Sequence, residues 1–395
     1  MSLQAIILCG GKSTRTYPLT ITKPKPLLKV ANKPMLGHLL DKIKDYFDEI
    51  ILVLNYHADQ IKNFIDANYP NYNIKFVEQD EPRGTGDAIF RCKDLIRDKF
   101  IVINGDDFYG PDLTNNLDKY RYSILVHEVE NISQYGKIIH DDNGKIVRIH
   151  EKPPEYGPGL ANTGVYVLDR KIFEFDPELS ERGEYEIISL INKLIEHEEV
   201  YYQKIATWLP VTYPWNLLDI NEFLLSNIES DIQGQVEAGA IIKGKIILGQ
   251  NSIIKSGAYI EGNVIIGENC IIGPNCYIRG YTSIGNNCKI GNAVEIKNSI
   301  IGDNTNVAHL SYIGDSILGD FVNLGAGTIT ANLRHDESYI LSEIKDQLIN
   351  TNRKKLGAII ADRVHTGINT SIYPGRKMWP DTTTRPGEVV TKDIK

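Results

Sequence analysis

Along the second half of the chain, aliphatic side chains recur at every sixth position: Val236, Ile242, Leu248, Ile254, Ile260, Ile266, Ile272, Ile278, Ile284, Ile290 and Ile296. An α-helix repeats its apolar face about every 3.6 residues and a half-buried strand every second residue, so a period of six fits neither. It fits a parallel β-helix with three six-residue sides per turn, in which residues eighteen apart stack about 4.8 Å from one another. In such a coil, spacing along the chain becomes contact in space. The period starts near residue 233 and slips past Ile296, to Ile301, Val307 and Ile313 and then to Leu318 and Leu324. The slip predicts a bulge or loop. A polar stretch over 333–355 then interrupts the repeat and is long enough to be functional rather than a simple connection.

The first half has a different rhythm. Apolar runs at Ala5–Leu8, Ile50–Leu54, Ile74–Val77 and Phe100–Ile103 read as buried strands. Between them lie helical patterns such as Met35, Leu36, Leu39, Leu40 and Ile43, or Ala88, Ile89, Cys92 and Ile96. This alternation predicts βαβ units, hence an α/β fold with a mostly parallel sheet and helices on both sides. Residues 136–150 predict a hairpin around Asn143-Gly144, and Glu184–Ile195 a helix. Ligands of open α/β sheets bind beyond the carboxyl ends of strands, which directs attention to the loops after the first and fourth strands.

A length of 395 residues exceeds one ordinary core and suits two domains, divided as 1–228 and 229–395. With 42% hydrophobic and 24% charged residues the composition is globular. No apolar run approaches the roughly 20 residues that cross a bilayer. The apolar stretch Ala5–Leu8 is too short for a signal peptide, so a cytoplasmic protein with no membrane partner is expected. A net charge of −8 argues against broad nucleic-acid binding, which needs clustered cations. The five cysteines form no CxxC pair, and Cys270, Cys276 and Cys288 follow the coil's own period, which favours small packed side chains over a zinc site.

The loop after the first strand is Cys9-Gly-Gly-Lys-Ser-Thr-Arg15, followed by Pro18, Lys23, Lys25 and Lys33. Glycines let backbone N–H groups approach phosphate oxygens, and Arg15 and Lys25 supply cations for transferring phosphoryl charge. The bland alternative is a Gly-rich turn with solvated lysines; a Walker loop is absent. After the fourth strand, Asn104-Gly-Asp-Asp107 puts carboxylates at a strand's end, where Asp106 either bridges a hard cation to a triphosphate or only shapes a turn.

The stretch Ile7–Thr20, with Lys23-Pro24-Lys25-Pro26-Leu27-Leu28 and Lys33-Pro34-Met35, resembles the sugar-1-phosphate nucleotidyltransferases. With the coil behind it, nearly the whole chain resembles the archaeal-type bifunctional UDP-N-acetylglucosamine pyrophosphorylases and glucosamine-1-phosphate acetyltransferases. The resemblance implies a Rossmann-like nucleotidyltransferase domain followed by a left-handed parallel β-helix of hexapeptide repeats. It implies that Lys25 stabilises charge at the α-phosphorus, that Arg15 braces the leaving pyrophosphate, and that Gly10, Gly11, Gln79, Gly84 and Thr85 bind the nucleotide, UTP or dTTP. Asp106 matches a Mg2+ ligand, while Gly136, Glu151, Lys152 and Asn162 match the sugar 1-phosphate pocket.

In the coil, the position after each aliphatic rung is usually Gly, but Arg279 and Lys297 break that habit eighteen residues apart. Stacked cations repel, so an anion is expected between them: a sugar phosphate, or carboxylates such as Glu261 or Glu295. The stretch His309-Leu-Ser-Tyr-Ile-Gly-Asp315 and Asn323–Asn332 resembles the family's acetyltransferase motif. It implies His309 as general base, Arg279, Lys297, Tyr312 and Asn323 as sugar-phosphate contacts, Ala326 as an acetyl-CoA contact, Asn332 as a sugar contact, and a homotrimer with the site between subunits. The imidazole pKa of about 6.5 suits that proton transfer.

Three positions depart from the family pattern. Ser13 replaces a loop glycine and strains the loop unless its φ is negative. Pro210 stands where relatives carry a second metal ligand, leaving Asp106 with phosphates and water, or Asn216 or Asp219, to hold magnesium. Ser338 stands for a lysine, with Lys345 or Arg353-Lys354-Lys355 as substitutes. Two other readings compete: a single-function glucose-1-phosphate thymidylyl- or uridylyltransferase with a structural coil, and a non-catalytic exchange-factor-like subunit.

Overall fold

The computed structural model describes residues 3–115, 117–180 and 183–395. The chain forms two compact units. One comprises residues through Lys12, Pro24–Leu27 and Met35–Pro210; the other Ser13–Lys23, Leu28–Pro34 and Val211–Lys395. Sequence position alone does not foretell that parts of the first thirty-four residues cluster with the coil.

The first unit is built on a nine-stranded sheet. Its strands are β1 (Gln4–Leu8), β2 (Glu49–Leu54), β3 (Ile74–Glu78), β4 (Phe100–Asn104), β5 (Ser123–Val129), β6 (Gly136–His140), β7 (Ile146–Glu151), β8 (Gly159–Leu168) and β9 (Tyr201–Lys204). The order is β7-β6-β8-β4-β1-β2-β3, with β5 paired to β8 and β9. Strands β4, β1, β2 and β3 run parallel; the first three carry uninterrupted apolar runs buried on both faces, whereas β3, expected to be buried, is an edge strand with Lys75 and Glu78 exposed. Beyond β4 the sheet turns antiparallel through β8, β6 and β7, so the mostly parallel expectation holds for the half that carries the first motifs.

Helix α1 (Met35–Ile43) buries all five of its periodic apolar residues. The pattern from Ala88 to Ile96 is α-helical only to Phe90, in α2 (Thr85–Phe90). There it tightens: Cys92, Lys93 and Leu95 donate to carbonyls three residues back, which keeps Cys92 and Ile96 buried without a further α turn. The helix expected from Glu184 starts later, as α3 (Ile187–His197), because Tyr185 exchanges backbone bonds with Arg83 and Gly86 instead. The hairpin forms as β6 and β7, with Gly144 at φ +81.

The second unit is a three-sided parallel β-helix. Its first face stacks strands from Asp231–Ile232 to Lys377–Met378, its second from Gln235–Val236 to Asn323–Leu324, its third from Ile241–Lys243 to Val389–Val390. Ile242 pairs with Ile260 and Ile260 with Ile278, the expected eighteen-residue rung. Rung residues Ile254, Ile260, Ile266, Ile272 and Ile278 are fully buried, as are Cys270, Cys276 and Cys288.

The register slip is neither bulge nor loop. Arg279 pairs with Lys297, eighteen on, but Ser283 pairs with Ile300 and Lys297 with Gly314, each seventeen on. The corner after the third face has lost one residue, with Asn298 and Asp315 left-handed at φ 49 and 46. Asn and Asp tolerate that conformation, so the turn closes with a shorter corner. The 333–355 interruption carries a hairpin, Leu341–Ile344 with Gln347–Asn350. Among the described residues no helix is long and apolar enough to cross a membrane.

Candidate functional site

Parallel pairing brings Leu8 of β1 level with Asn104 of β4, so the Gly10-Gly11 loop and the Gly105–Asp107 loop leave the same edge of the sheet. A Cβ on Gly105 would lie 2.5 Å from the Cys9 sulfur, which explains the glycine. Burial, with Asp106 adding to it, pushes the Cys9 thiol far up, so it stays protonated. Lys25, almost wholly buried, places Nζ 2.9 Å from Asp106 Oδ2 and 3.7 Å from Asp107 Oδ1. Two residues 81 apart in sequence thus make one ion pair at the edge of the sheet from which both loops leave.

Gly10 faces Gln79: a Cβ there would sit 3.4 Å from Gln79 Oε1. The Gln79 amide donates to Gly84 O at 3.2 Å and to Asp87 Oδ2 at 2.8 Å, fixing its plane. Gly84 adopts φ +115 and approaches Tyr185 so closely that a Cβ would meet its carbonyl oxygen at 2.4 Å. Thr85 does something the resemblance does not imply: its hydroxyl accepts from Ile187 N at 3.0 Å and caps α3.

The sugar-phosphate candidates converge. Gly136 pairs with Glu151, and a Cβ on it would lie 3.1 Å from Glu151 Oε2 and 3.4 Å from Asn162 Cβ, so the missing side chain makes room for both. Asn162 donates to Tyr166 Oη at 2.7 Å and accepts from Gly164 N at 3.0 Å. Lys152 follows Glu151 at φ 45, its N–H donating to Tyr135 O.

The strands Phe108–Tyr109 and Trp208–Leu209 pair antiparallel, and one further step of that register sets Pro210 opposite Asp107. Asp107 is buried and accepts from Trp208 Nε1 at 3.4 Å. In the second unit, helix α4 (Asn216–Leu225) holds both proposed substitutes for the missing ligand. Asn216 Oδ1 accepts from Thr212 N and Tyr213 N, and Asp219 is ion-paired with Arg353, so each is already engaged. Arg353 is thereby taken from the basic cluster proposed to replace the lysine at Ser338. Among the described residues no group of three or more His, Cys, Asp or Glu side chains converges on one point. The paired carboxylates Asp106 and Asp107 fit a hydrated divalent cation arriving with phosphate oxygens, not a protein-caged one.

Arg15 is exposed in the turn Thr14–Thr16 of the second unit. Ser13, just before it, has φ 50, so the strained alternative is the one adopted. Three donors hold it there: Thr16 N, Thr16 Oγ1 and Thr20 Oγ1 all bond to Ser13 O, at 3.1, 2.7 and 2.9 Å.

On the third face of the coil, Arg279 and Lys297 stack in register as the spacing predicts. The anion beside each is a carboxylate. Arg279 Nη2 lies 2.8 Å from Glu295, and Lys297 Nζ 3.2 Å from Asp315 Oδ2. Asp315 was not singled out from sequence, yet it organises the site: its other oxygen accepts from Asn298, and Asn332 donates to it at 2.5 Å and to Tyr312 Oη at 3.1 Å. Burial, then Asp315, raises the Tyr312 phenol. The signal available in the sequence was the seventeen-residue interval that seats Asp315 over Asn298. His309 ends a strand of the second face, exposed, and reaches Tyr312 through the left-handed Leu310. Asn323 shares that face, exposed, and Ala326 follows it, accepting from Asn369 N. The predicted residues therefore form two groups on adjoining faces, Arg279, Lys297, Tyr312 and Asn332 in one, His309, Asn323 and Ala326 in the other.

The nucleotidyl transferase family model matches residues 4–227, and a model of the GMPPB C-terminal domain matches 260–374. A protein of Methanocaldococcus jannaschii named bifunctional protein GlmU is 41% identical over 100% of this chain and 96% of its own. A Sulfurisphaera tokodaii protein named bifunctional sugar-1-phosphate nucleotidylyltransferase/acetyltransferase is 35% identical over 99% of this chain and 98% of its own. A Bacillus anthracis crystal structure described as a glucose-1-phosphate thymidylyltransferase superposes with TM-score 0.53 and 26% identity, covering 58% of this chain and 98% of that one. The chain belongs to the nucleotidyl transferase family, whose fold and motifs its first unit carries.

Proposed function

We propose that this protein is a two-site enzyme of nucleotide-sugar synthesis, with nucleotidyl transfer over residues 1–228 and amino-sugar acetylation over 229–395. The observation that carries the first activity is the buried Lys25 ammonium 2.9 Å from Asp106 at the carboxyl edge of the parallel strands. A phosphate oxygen of the sugar 1-phosphate attacks the α-phosphorus of UTP or dTTP; the new P–O bond forms as the bond to pyrophosphate breaks. Lys25 exchanges its carboxylate partner for the charge that gathers on the α-phosphoryl oxygens, and Arg15 balances the departing pyrophosphate. Glu151 and Asn162, beside Gly136, orient the sugar; Gln79 and Gly84 support the base. Asp106 would hold a magnesium ion, which would supply neutralisation of phosphate charge.

In the coil, the neutral amine of an amino-sugar 1-phosphate attacks the acetyl-CoA carbonyl. The N–C bond forms, the C–S bond breaks, His309 takes the amine proton, and coenzyme A leaves as thiolate to be protonated. The two residue groups on adjoining faces support a homotrimer in which one subunit's group meets the other group of its neighbour. The chemistry also fits a cytoplasmic enzyme.

Purified protein is expected to release coenzyme A from acetyl-CoA with glucosamine 1-phosphate, and pyrophosphate from UTP with N-acetylglucosamine 1-phosphate and magnesium. Silence in both assays refutes the reading. One observation favours a narrower enzyme: Glu295 and Asp315 already neutralise Arg279 and Lys297. Under that reading, His309→Ala leaves every measurable activity intact and the coil serves assembly.

A further inference from the structure

A column of aspartates runs up the corner between the first and second faces of the coil. Asp303, Asp320 and Asp362 each stand two places after the rung residue of three successive turns: Ile301, Leu318 and Ile360. Each divides its two oxygens. Oδ1 accepts the backbone N–H one rung earlier, Asn286 N to Asp303 at 2.9 Å, Asp303 N to Asp320 at 2.8 Å and Asp320 N to Asp362 at 2.8 Å. Oδ1 also covers the glycine beneath, since a Cβ on Gly285, Gly302 or Gly319 would meet it at 2.3–2.5 Å.

The other oxygens reach the segment that bears the family's signature lysines. Asp303 Oδ2 pairs with Lys29, Asp320 Oδ2 with Lys23 at 2.6 Å, and Asp362 Oδ2 accepts from Thr22 at 2.6 Å. Lys23 also lies 3.2 Å from Asp362 Oδ1. A second set of bonds runs through Asn221 of α4, itself buried: Oδ1 accepts from Ala31 N and Ser283 Oγ, and Nδ2 donates to Tyr281 O. Asn32 donates to Ile284 O at 2.6 Å. Every one of these contacts lies within the second unit, so residues 13–23 and 28–34 are held by the coil.

Such an arrangement exceeds what the coil needs for itself. The backbone caps use only Oδ1; the outward oxygens, aligned one per rung, have the two lysines and a threonine as partners. Lys23 and Lys29 stand two residues before and four after Lys25 in the chain, and Arg15 lies upstream in the same held segment.

We propose that the aspartate column of the coil is a positioning device for nucleotidyl transfer, fixing the signature segment on both sides of Lys25 through Lys23 and Lys29. This rests on the nucleotidyl-transfer reading. The column touches no substrate; it acts through the segment, and the coil thereby has a role in the first reaction as well as in acetylation.

The test uses the full-length protein and the double variant Asp320→Asn/Asp362→Asn, which keeps the amide-capping oxygens and removes the charge. Pyrophosphate-release kcat is expected to fall about 10- to 100-fold with KM for UTP within about threefold, since misplacement near one ångström costs rate on the order of a hundredfold. Coenzyme A release is expected to stay within about twofold, and hydrogen exchange of residues 13–34 to speed about tenfold, as for a locally opened segment. Lys23→Arg, which preserves the pair, is expected to restore wild-type kcat relative to Lys23→Gln. Should the double variant fail to fold, Lys23→Gln, which leaves the coil untouched, carries the same expectation. Wild-type kcat in a variant with no change in exchange overturns the positioning role alone. A wild-type protein silent in pyrophosphate release overturns the nucleotidyl-transfer reading and the positioning role with it, while exchange still reports whether the segment is anchored.

Discussion

The sheet and the coil gather their functional residues by opposite rules. In the coil a fixed number of residues makes a rung, so Arg279 and Lys297 are neighbours by arithmetic. In the sheet, Lys25 and Asp106 meet across 81 residues because two parallel strands end level and their loops share an edge. A repeat lets spacing stand for contact, and a single error of register moves every later contact. A wound sheet needs its whole topology first, but tolerates loops of any length. Polar networks differ accordingly: the coil builds columns, as in Asp303, Asp320 and Asp362, whereas the sheet builds convergent clusters, as in Gly136, Glu151 and Asn162.

The comparison is broken most sharply by removing one group from each region. Lys25→Ala is expected to cut pyrophosphate release by about a thousandfold, in the range seen when a charge-stabilising donor is lost, with coenzyme A release preserved. His309→Ala should do the reverse, cutting coenzyme A release by about 10²- to 10⁴-fold and sparing pyrophosphate release. If either variant silences both, the two regions do not work as separate sites. Next in size, Asp315→Ala leaves Lys297 and Asn332 without their partner in a largely buried setting. Chemical denaturation should report a loss of about 3 kcal/mol, and coenzyme A release should fall too.

A smaller effect concerns pH. Burial pushes the Asp320 carboxyl up, but the charge and hydrogen bond of Lys23 outweigh it and hold its pKa below the ordinary range. Burial likewise pushes Lys23 down, and Asp320 and Asp362 together reverse this, so its pKa is raised. The lowered carboxyl stabilises the fold above its unfolded pKa of about 3.9, and that share is lost as pH falls through the folded value. The raised ammonium stabilises below about 10.4 and its share is lost only above that. Exchange in residues 13–34, corrected for intrinsic rates, is therefore expected to stay flat from about pH 5 to 9 and to rise below about pH 4. A pH-dependent anchor inside that window contradicts the ion-pair account. Smallest of all, Ser13→Gly relieves a left-handed non-glycine residue and should raise stability by about 1 kcal/mol in thermal or denaturant unfolding.

Much of this architecture is legible in the sequence alone. The period of six fixed the coil and its rungs, and uninterrupted apolar runs marked strands to within a residue of their ends. Legibility failed where the cause was not local. The slip after Ile296 shortens one interval from six residues to five, and the period alone does not show that the missing residue comes out of a corner and leaves the faces intact. The Ala88–Ile96 pattern kept helical spacing while its bonds tightened to three-residue turns, a difference that apolar spacing cannot show. Asp315 lies beyond such a reading because its place over Asn298 is set by the shortened corner, whereas Glu295 answers the expectation of a carboxylate beside Arg279. Thr85 also has a structural role that its place in the sequence does not show: its hydroxyl caps a helix that begins 102 residues later.

The anchoring of Lys23 and Lys29 also orders events in time. Their partners lie 297 and 274 residues downstream, and Thr22 waits 340 residues for Asp362. At a synthesis rate of about 5–20 residues per second, the opening stretch leaves the ribosome roughly 15–60 s before the turns that will clasp it. The part of the chain made among the first is thus among the last to be secured, and contacts of such separation close slowly. A nascent chain halted before Asp303 carries a finished sheet with an unfastened clasp.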